Sequence, residues 1–273
     1  MRRARRSAAV VAVVCAIPMA AIAGAPAAAG RLAAHRVIYD LTLEHVSGGS
    51  VMAASGTMSY TVEATCGGWA VQQRLHLTTA SRDGGSSDLT SDYATLESLD
   101  GRHFVFDMRQ GPTGGAREEI KGDAALNQDG AGTASYTLPK ASRVALPKGT
   151  LFPMHHTAAI VDAAASGQPW ISPLLFDGTG VGGALSTFAL FGHWGAPSPE
   201  PIAPSMAAMA SGPVHVSYFG LKPGVSLPDF ESIQRYYDNG VADRLHLDFG
   251  DFRMQASVRD FHLLPSRPAH CER

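Results

Sequence analysis

The sequence predicts a mainly β fold: a single domain built as one curled antiparallel sheet or barrel, interrupted by one helix. Three observations predict it. Residues 230–260 read as three antiparallel strands joined by tight turns. The N-terminal half carries frequent turn signals and no helix-length periodicity, which is the pattern of a β-meander. Two cysteines far apart in the chain, Cys66 and Cys271, offer a covalent tie between its beginning and its end.

Residues 1–6 carry four arginines and no acid, and residues 7–23 are apolar and alanine-rich. That is the composition of a secretory signal, and the run is short for a membrane span. Ala21-Ile22-Ala23 and Ala27-Ala28-Ala29 are both small-x-small sites, so cleavage is expected near Ala29 or Ala23. Residues 1–29 then form the signal and residues 30–273 the single β domain of an exported protein. An uncleaved anchor is one alternative. A lipoprotein modified at Cys15 is another, but Val14 before it is larger than such signals accept. Setting aside the four signal arginines from 22 basic residues leaves 18 against 24 acids, a charge of about −6. No basic patch for nucleic acid remains.

An exported chain with two cysteines beyond its signal is most simply read as holding one disulfide, Cys66 to Cys271. The closed loop spans about 205 residues, and chain entropy sets an upper gain of about 5 kcal/mol. Free thiols serving a redox or metal site would need close partners. There is no Cys-x-x-Cys, and His270 stands alone beside Cys271.

The strands follow in order. Residues 35–44 alternate, with Val37, Tyr39 and Leu41 on one side, and Gly48-Gly49 makes a turn. Residues 56–64 put Met58, Tyr60 and Val62 in phase. Residues 69–79 put Trp69, Val71, Leu75 and Leu77 on one face, with Gln72, Arg74 and His76 opposite. After Asp83-Gly84-Gly85, residues 87–99, 103–109 and 117–122 read as further strands. Phe152-Pro153 opens the one helix, which runs to Ser166 with Ala159, Ile160, Ala163 and Ala164 on a stripe and Gly167 as its stop. Apolar runs at 170–176 and 185–191 come next. Residues 195–213 contain five prolines and read as a long loop, mobile or covering an opening. In the last hairpin Phe249 should face Phe252, Leu247 Met254 and Leu245 Ala256, giving one unbroken apolar face. Asn239-Gly240 and Gly250-Asp251 are the expected two-residue turns.

Signatures of catalysis are absent. His155 and His156 are neighbours, so on a helix they point about 100° apart and do not form an i, i+4 metal pair. Gly-x-Ser-x-Gly is missing, and Ser186 lacks a nucleophile elbow. Glu118 and Glu119 alternate across a strand. The glycine-rich run 178–183 lacks the lysine and the strand–helix context of a phosphate loop. The sequence therefore nominates no catalytic residue, metal ligand or cofactor.

Several stretches together resemble the EipB family of cell-envelope integrity proteins. They are Leu32-Ala33-Ala34-His35-Arg36 before the Tyr39-Asp40 strand, the Trp69 strand after Cys66, and Phe152-Pro153 with His156 at the helix start. Phe176-Asp177-Gly178 follows, then Tyr236-Tyr237-Asp238-Asn239-Gly240 leading into Asp248-Phe249-Gly250-Asp251-Phe252, closed by Cys271. The resemblance spans nearly the whole mature chain, the segment 195–213 apart. It implies a periplasmic, spiral-shaped antiparallel β-barrel with a disulfide linking its N- and C-terminal parts, and it carries over no catalytic residues.

The expectation is a non-enzymatic periplasmic protein that supports envelope integrity through contacts with other envelope proteins. The alternative is a carrier or sensor of a lipid or lipoprotein ligand in an apolar cleft between sheet and helix. Trp170, Phe176, Phe188 and Phe191, with Met206 or Met209, are the candidate lining residues; their other reading is ordinary core.

Overall fold

The computed structural model describes residues 31–221, 224, 226–266 and 271. The expected signal, both cleavage sites and Cys15 lie outside the described residues. A meander of eight strands comes first: β1 (His35–Val46), β2 (Val51–Ala64), β3 (Gly68–Ser81), β4 (Ser86–Ser98), β5 (His103–Pro112), β6 (Glu118–Leu126), β7 (Gly132–Leu138) and β8 (Ser142–Leu146). Then come β9 (Thr150–Leu151), helix α1 (Pro153–Ala165), β10 (Trp170–Ile171), β11 (Leu174–Leu175) and β12 (Leu185–Phe191). The chain ends with β13 (Ser211–Gly220), β14 (Phe230–Tyr237), β15 (Ala242–Asp248) and β16 (Phe252–Leu263).

These strands form a single sheet in the order β8-β7-β6-β5-β4-β3-β2-β1-β16-β15-β14-β13-β12-β11-β9, with β10 also paired to β12. First and last long strands are neighbours: Val37 faces Phe261 and Leu41 faces Ala256. The two free edges, β8 and β9, follow one another in the chain, so the sheet curls into a nearly closed barrel. Such closure protects most strand edges from pairing with other chains. The β7–β8 pair was not expected from the sequence, because this stretch is short and rich in Gly, Ser and Ala, and only Ala134, Tyr136, Val144 and Leu146 turn inward on it.

The β15–β16 register is the expected one, with Leu245 opposite Ala256 and Leu247 opposite Met254. Gly250-Asp251 is a two-residue turn, closed by the Phe249 N–H donating to Phe252 O at 3.0 Å. The preceding turn differs. Tyr237 N–H donates to Val241 O at 2.9 Å, so the loop is the three residues Asp238-Asn239-Gly240, with Gly240 at φ +76°. That is a turn followed by a left-handed bulge residue. A side chain there would also meet Leu32, whose Cδ2 lies 2.4 Å from where a Cβ would stand.

Cys66 and Cys271 are bonded, with Cα atoms 5.2 Å apart. The bridge ties the segment after β16 to the β2–β3 turn, reaching past the start of β1, where the Leu264 N–H donates to Ala34 O at 2.8 Å.

Helix α1 lies between opposite walls of the barrel. Met154 and Ala158 pack with Leu32, Val62 and Trp69, whereas Ile160 packs with Ala189, Val214 and Val216. Pro153 suits the first turn, since it has no N–H to satisfy. The cap comes from outside the helix: the buried Glu97 carboxylate of β4 accepts the N–H groups of Met154 at 2.7 Å and His155 at 3.0 Å. A carboxylate at a helix N-terminus also meets the positive end of its dipole.

The segment 195–213 lies along the outer wall and not over the barrel mouth. It packs against the outside of β14 and β15 through a short 3-10 turn, Pro204–Met206. Beneath it, Arg235 donates to Asp243 at 2.7 Å and also to the carbonyls of Pro199 and Glu200. The Tyr237 hydroxyl donates to Asp243 and accepts the Ile202 N–H. A bulge opposite Gln234, with Arg244 at φ +54°, turns Asp243 and Arg244 both outward to grip this segment, and Arg244 pairs with Glu200.

Candidate functional site

The barrel interior is finished in two ways. Around β5–β8 it is solid: Phe104, Phe106, Tyr136, Phe152 and Phe176 pack ring on ring, with Phe104 and Phe152 stacked at 4.9 Å. Gly178 lets the chain lie on this cluster, because a Cβ there would come within 2.4 Å of the Phe106 ring. Around β1–β3 and β13–β15 the interior holds a cavity of about 270 Å³.

The cavity is built by alternation. Inward positions of the strands supply Tyr39, Tyr60, Tyr218 and Tyr236 together with Gln73, Ser232 and Gln234. Met58, Val62, Met154, Leu32 and Leu245 form its apolar part. Among the described residues no Asp, Glu, Lys or Arg lines it. Burial raises all four tyrosine hydroxyls above their usual titration range, so they remain protonated donors. The Tyr39 hydroxyl donates to Ala242 O at 2.8 Å, Tyr236 is bonded to Thr157 and Gln234, and Tyr218 to Ser232. Among the described residues nothing bonds the Tyr60 hydroxyl or the Gln73 amide. Burial lowers the His35 pKa, and its Nδ1–H donates to Ala33 O at 2.8 Å, which leaves the ring neutral.

The helix-start histidines reach different walls. His155 Nδ1 meets Glu97 at 2.5 Å, and His156 Nε2 meets the Thr187 hydroxyl at 2.9 Å. Thr187 gives its own proton to Pro173 O, so His156 Nε2–H is the donor. Burial pushes the His156 pKa down to about 4.

The residues expected to line a cleft do not line this one. Phe176 is wholly buried in the solid half. Trp170 and Phe188 are 52% and 38% exposed on the outer wall, their rings stacked at 5.6 Å. Phe191 is half-buried against Ile160, Val214 and Val216, and Met206 is buried with Tyr237 under the 195–213 segment, Met209 beside it. The reason is steric. His156 and Ile160 of α1 occupy the space behind β12, so only Thr187 and Ala189 fit inward there and Phe188 must turn out.

The EipB-like family pattern matches residues 26–265. The chain is also 30% identical over 249 residues, 88% of each chain, to the cell envelope integrity protein EipB of Brucella abortus (strain 2308). It belongs to the EipB-like family. A solved structure from Brucella abortus, a beta-barrel-like protein of a domain of unknown function, superimposes with a TM-score of 0.77 at 26% identity. That match covers 86% of this chain and 99% of the other. The beta-barrel-like relative agrees with the curled sheet of this chain.

One signal in the sequence pointed to the lumen. Gln73 falls in phase with Trp69, Val71, Leu75 and Leu77, and a polar residue on an otherwise apolar face marks either a satisfied core amide or a wet interior. Ser232, Gln234 and Tyr236 repeat that signal on β14.

Proposed function

We propose that this protein supports cell-envelope integrity in the periplasm as a non-enzymatic scaffold that contacts envelope proteins. The role comes from the relative named for it, and one feature of the outer wall supports the mode of action. Outward side chains make a continuous row across four strands: Trp170 opposite Leu190, Leu190 opposite His215 and His215 opposite Ile233. Phe188 stacks on Trp170 beside it. Exposed aromatic and aliphatic clusters of this kind serve as anchors at protein interfaces. Affinity capture from the envelope tests this. Trp170→Ala combined with Phe188→Ala is expected to lose the captured protein, while Tyr60→Phe retains it; retention by the outer-wall variant would overturn the reading.

The cavity supports a second reading, in which the barrel carries or senses a ligand, a lipid or lipoprotein being the class foreseen from the sequence. Met58, Val62, Met154 and Leu245 give it an apolar side. A ligand that co-purifies with the protein in native mass spectrometry is the expected result; only the bare chain mass would count against it.

A further inference from the structure

We propose that the barrel lumen binds an uncharged saccharide, a monosaccharide or disaccharide, through Tyr60 and Gln73 with the other lumen tyrosines as stacking faces. The proposal rests on the ligand-carrier reading of the cavity and names the class of ligand.

Charge is the first argument. Among the described residues the lining contains no Asp, Glu, Lys or Arg, and its single imidazole, His35, has its Nδ1–H committed to Ala33 O. A phosphate, carboxylate or ammonium group would be desolvated there without a counter-ion, which costs several kcal/mol on the order of a buried unpaired charge. The occupant is therefore neutral.

Hydrogen bonding is the second. Buried polar groups are nearly always paired, and leaving one unpaired costs about 1–3 kcal/mol. The Tyr60 hydroxyl and the Gln73 amide are half-buried, face the cavity from neighbouring strands and have no protein partner among the described residues, so an occupant that shuts them off from solvent must itself pair them. An aliphatic chain would strand both groups. The hydroxyls of a sugar satisfy both, since each is a donor and an acceptor, as are the phenol and the amide.

Shape is the third. Tyr39, Tyr60, Tyr218 and Tyr236 offer flat apolar ring faces with polar tips, and the C–H face of a pyranose is apolar while its rim is polar. The cavity, about 270 Å³, lies just below the usual range of about 300–1,000 Å³ for ligand sites, which suits a small ligand. The bonds already formed by Tyr39, Tyr218 and Tyr236 hold the rings in place before any ligand arrives. Preorganisation of this kind lowers the entropy cost of binding.

The test is titration of the isotope-labelled protein, followed by NMR, with glucose, N-acetylglucosamine and maltose as the saccharides and decanol as the acyl-like probe. Tyr60→Phe and Gln73→Leu are the variants; neither removes a bond within the barrel, and a thermal melt checks each fold. A saccharide is expected to bind the parent protein and to bind each variant about three- to tenfold more weakly, the worth of one neutral hydrogen bond. Decanol binding without saccharide binding would overturn the saccharide assignment and leave the carrier reading standing. Binding of neither would overturn both. Saccharide binding of undiminished strength in the Tyr60→Phe, Gln73→Leu double variant would overturn the lumen as its site.

Discussion

Inward positions of β5–β8 carry Phe104, Phe106, Ile120, Leu126 and Tyr136, whereas those of β1, β2, β13 and β14 carry Tyr39, Tyr60, Tyr218, Gln234 and Tyr236. The first set, with Phe152 and Phe176, fills its half of the barrel; the second encloses a cavity of about 270 Å³. The strand alternation is the same in both. What differs is what meets the side chains: in the filled half four phenyl rings close on each other and the Tyr93 and Tyr136 hydroxyls find backbone partners, while the lumen phenols and amides face a space that no ring fills. The filled half also receives the coil between β11 and β12, where Asp177 O and Gly180 O accept the hydroxyls of Tyr93 and Tyr136. The lumen half receives only Leu32 and Ala33 from the coil before β1 and the Asn239-Gly240 turn among the described residues, and its far wall is α1.

The largest expected effect concerns the tie on the lumen side. Cys66→Ser, or reductant, removes a link across 205 residues worth up to about 5 kcal/mol by chain entropy. Because the bridge joins the β2–β3 turn to the end of β16, hydrogen exchange should rise first in β1–β3 and β16 and only later in β5–β8. Equal melting with and without reductant would contradict this.

Next comes Phe176→Ala in the filled half, expected to cost about 3–5 kcal/mol and to lower Tm by roughly 10 °C. Tyr60→Phe in the lumen half removes only an unpaired hydroxyl and should leave Tm nearly unchanged. Similar losses at the two positions would erase the contrast.

The wall between the halves should respond to pH. His156 is neutral in the fold, with a pKa of about 4 against 6.5 ordinarily. Between those values the unfolded chain takes up a proton that the folded chain refuses, so stability falls as pH drops from 6.5 towards 4. The loss reaches up to about 3 kcal/mol. The lowered pKa of His35 acts in the same direction. Urea unfolding at pH 7 and pH 5 measures it, and His156→Gln should flatten the slope.

Much of the fold was legible in the sequence for local reasons. The β15–β16 register, α1 and the Cys66–Cys271 pair each follow from turn residues, helix punctuation or cysteine count. The candidate site was less legible because it depends on what stands behind each strand. Phe188 reads as interior until Ile160 and His156 of a distant helix are known to occupy that space. Arg235 and Asp243 are buried on the outer wall, because a proline-rich segment folds back over it, and nothing local in the sequence marks them. Gln73, a polar side chain in core phase, was a signal left unread, and the lumen supplies its meaning.

The contrast between a filled and an open half is tested most directly by one pair of identical substitutions. Ala134 is fully buried in the solid half, and Ala242 lines the lumen. Ala134→Leu should overpack its site at a cost of about 1–3 kcal/mol, lowering Tm by several degrees. Ala242→Leu should melt within about 2 °C of the parent, because the added methyl groups enter open space. A melt of Ala242→Leu as low as that of Ala134→Leu would show that the lumen is not open, and the account would fail.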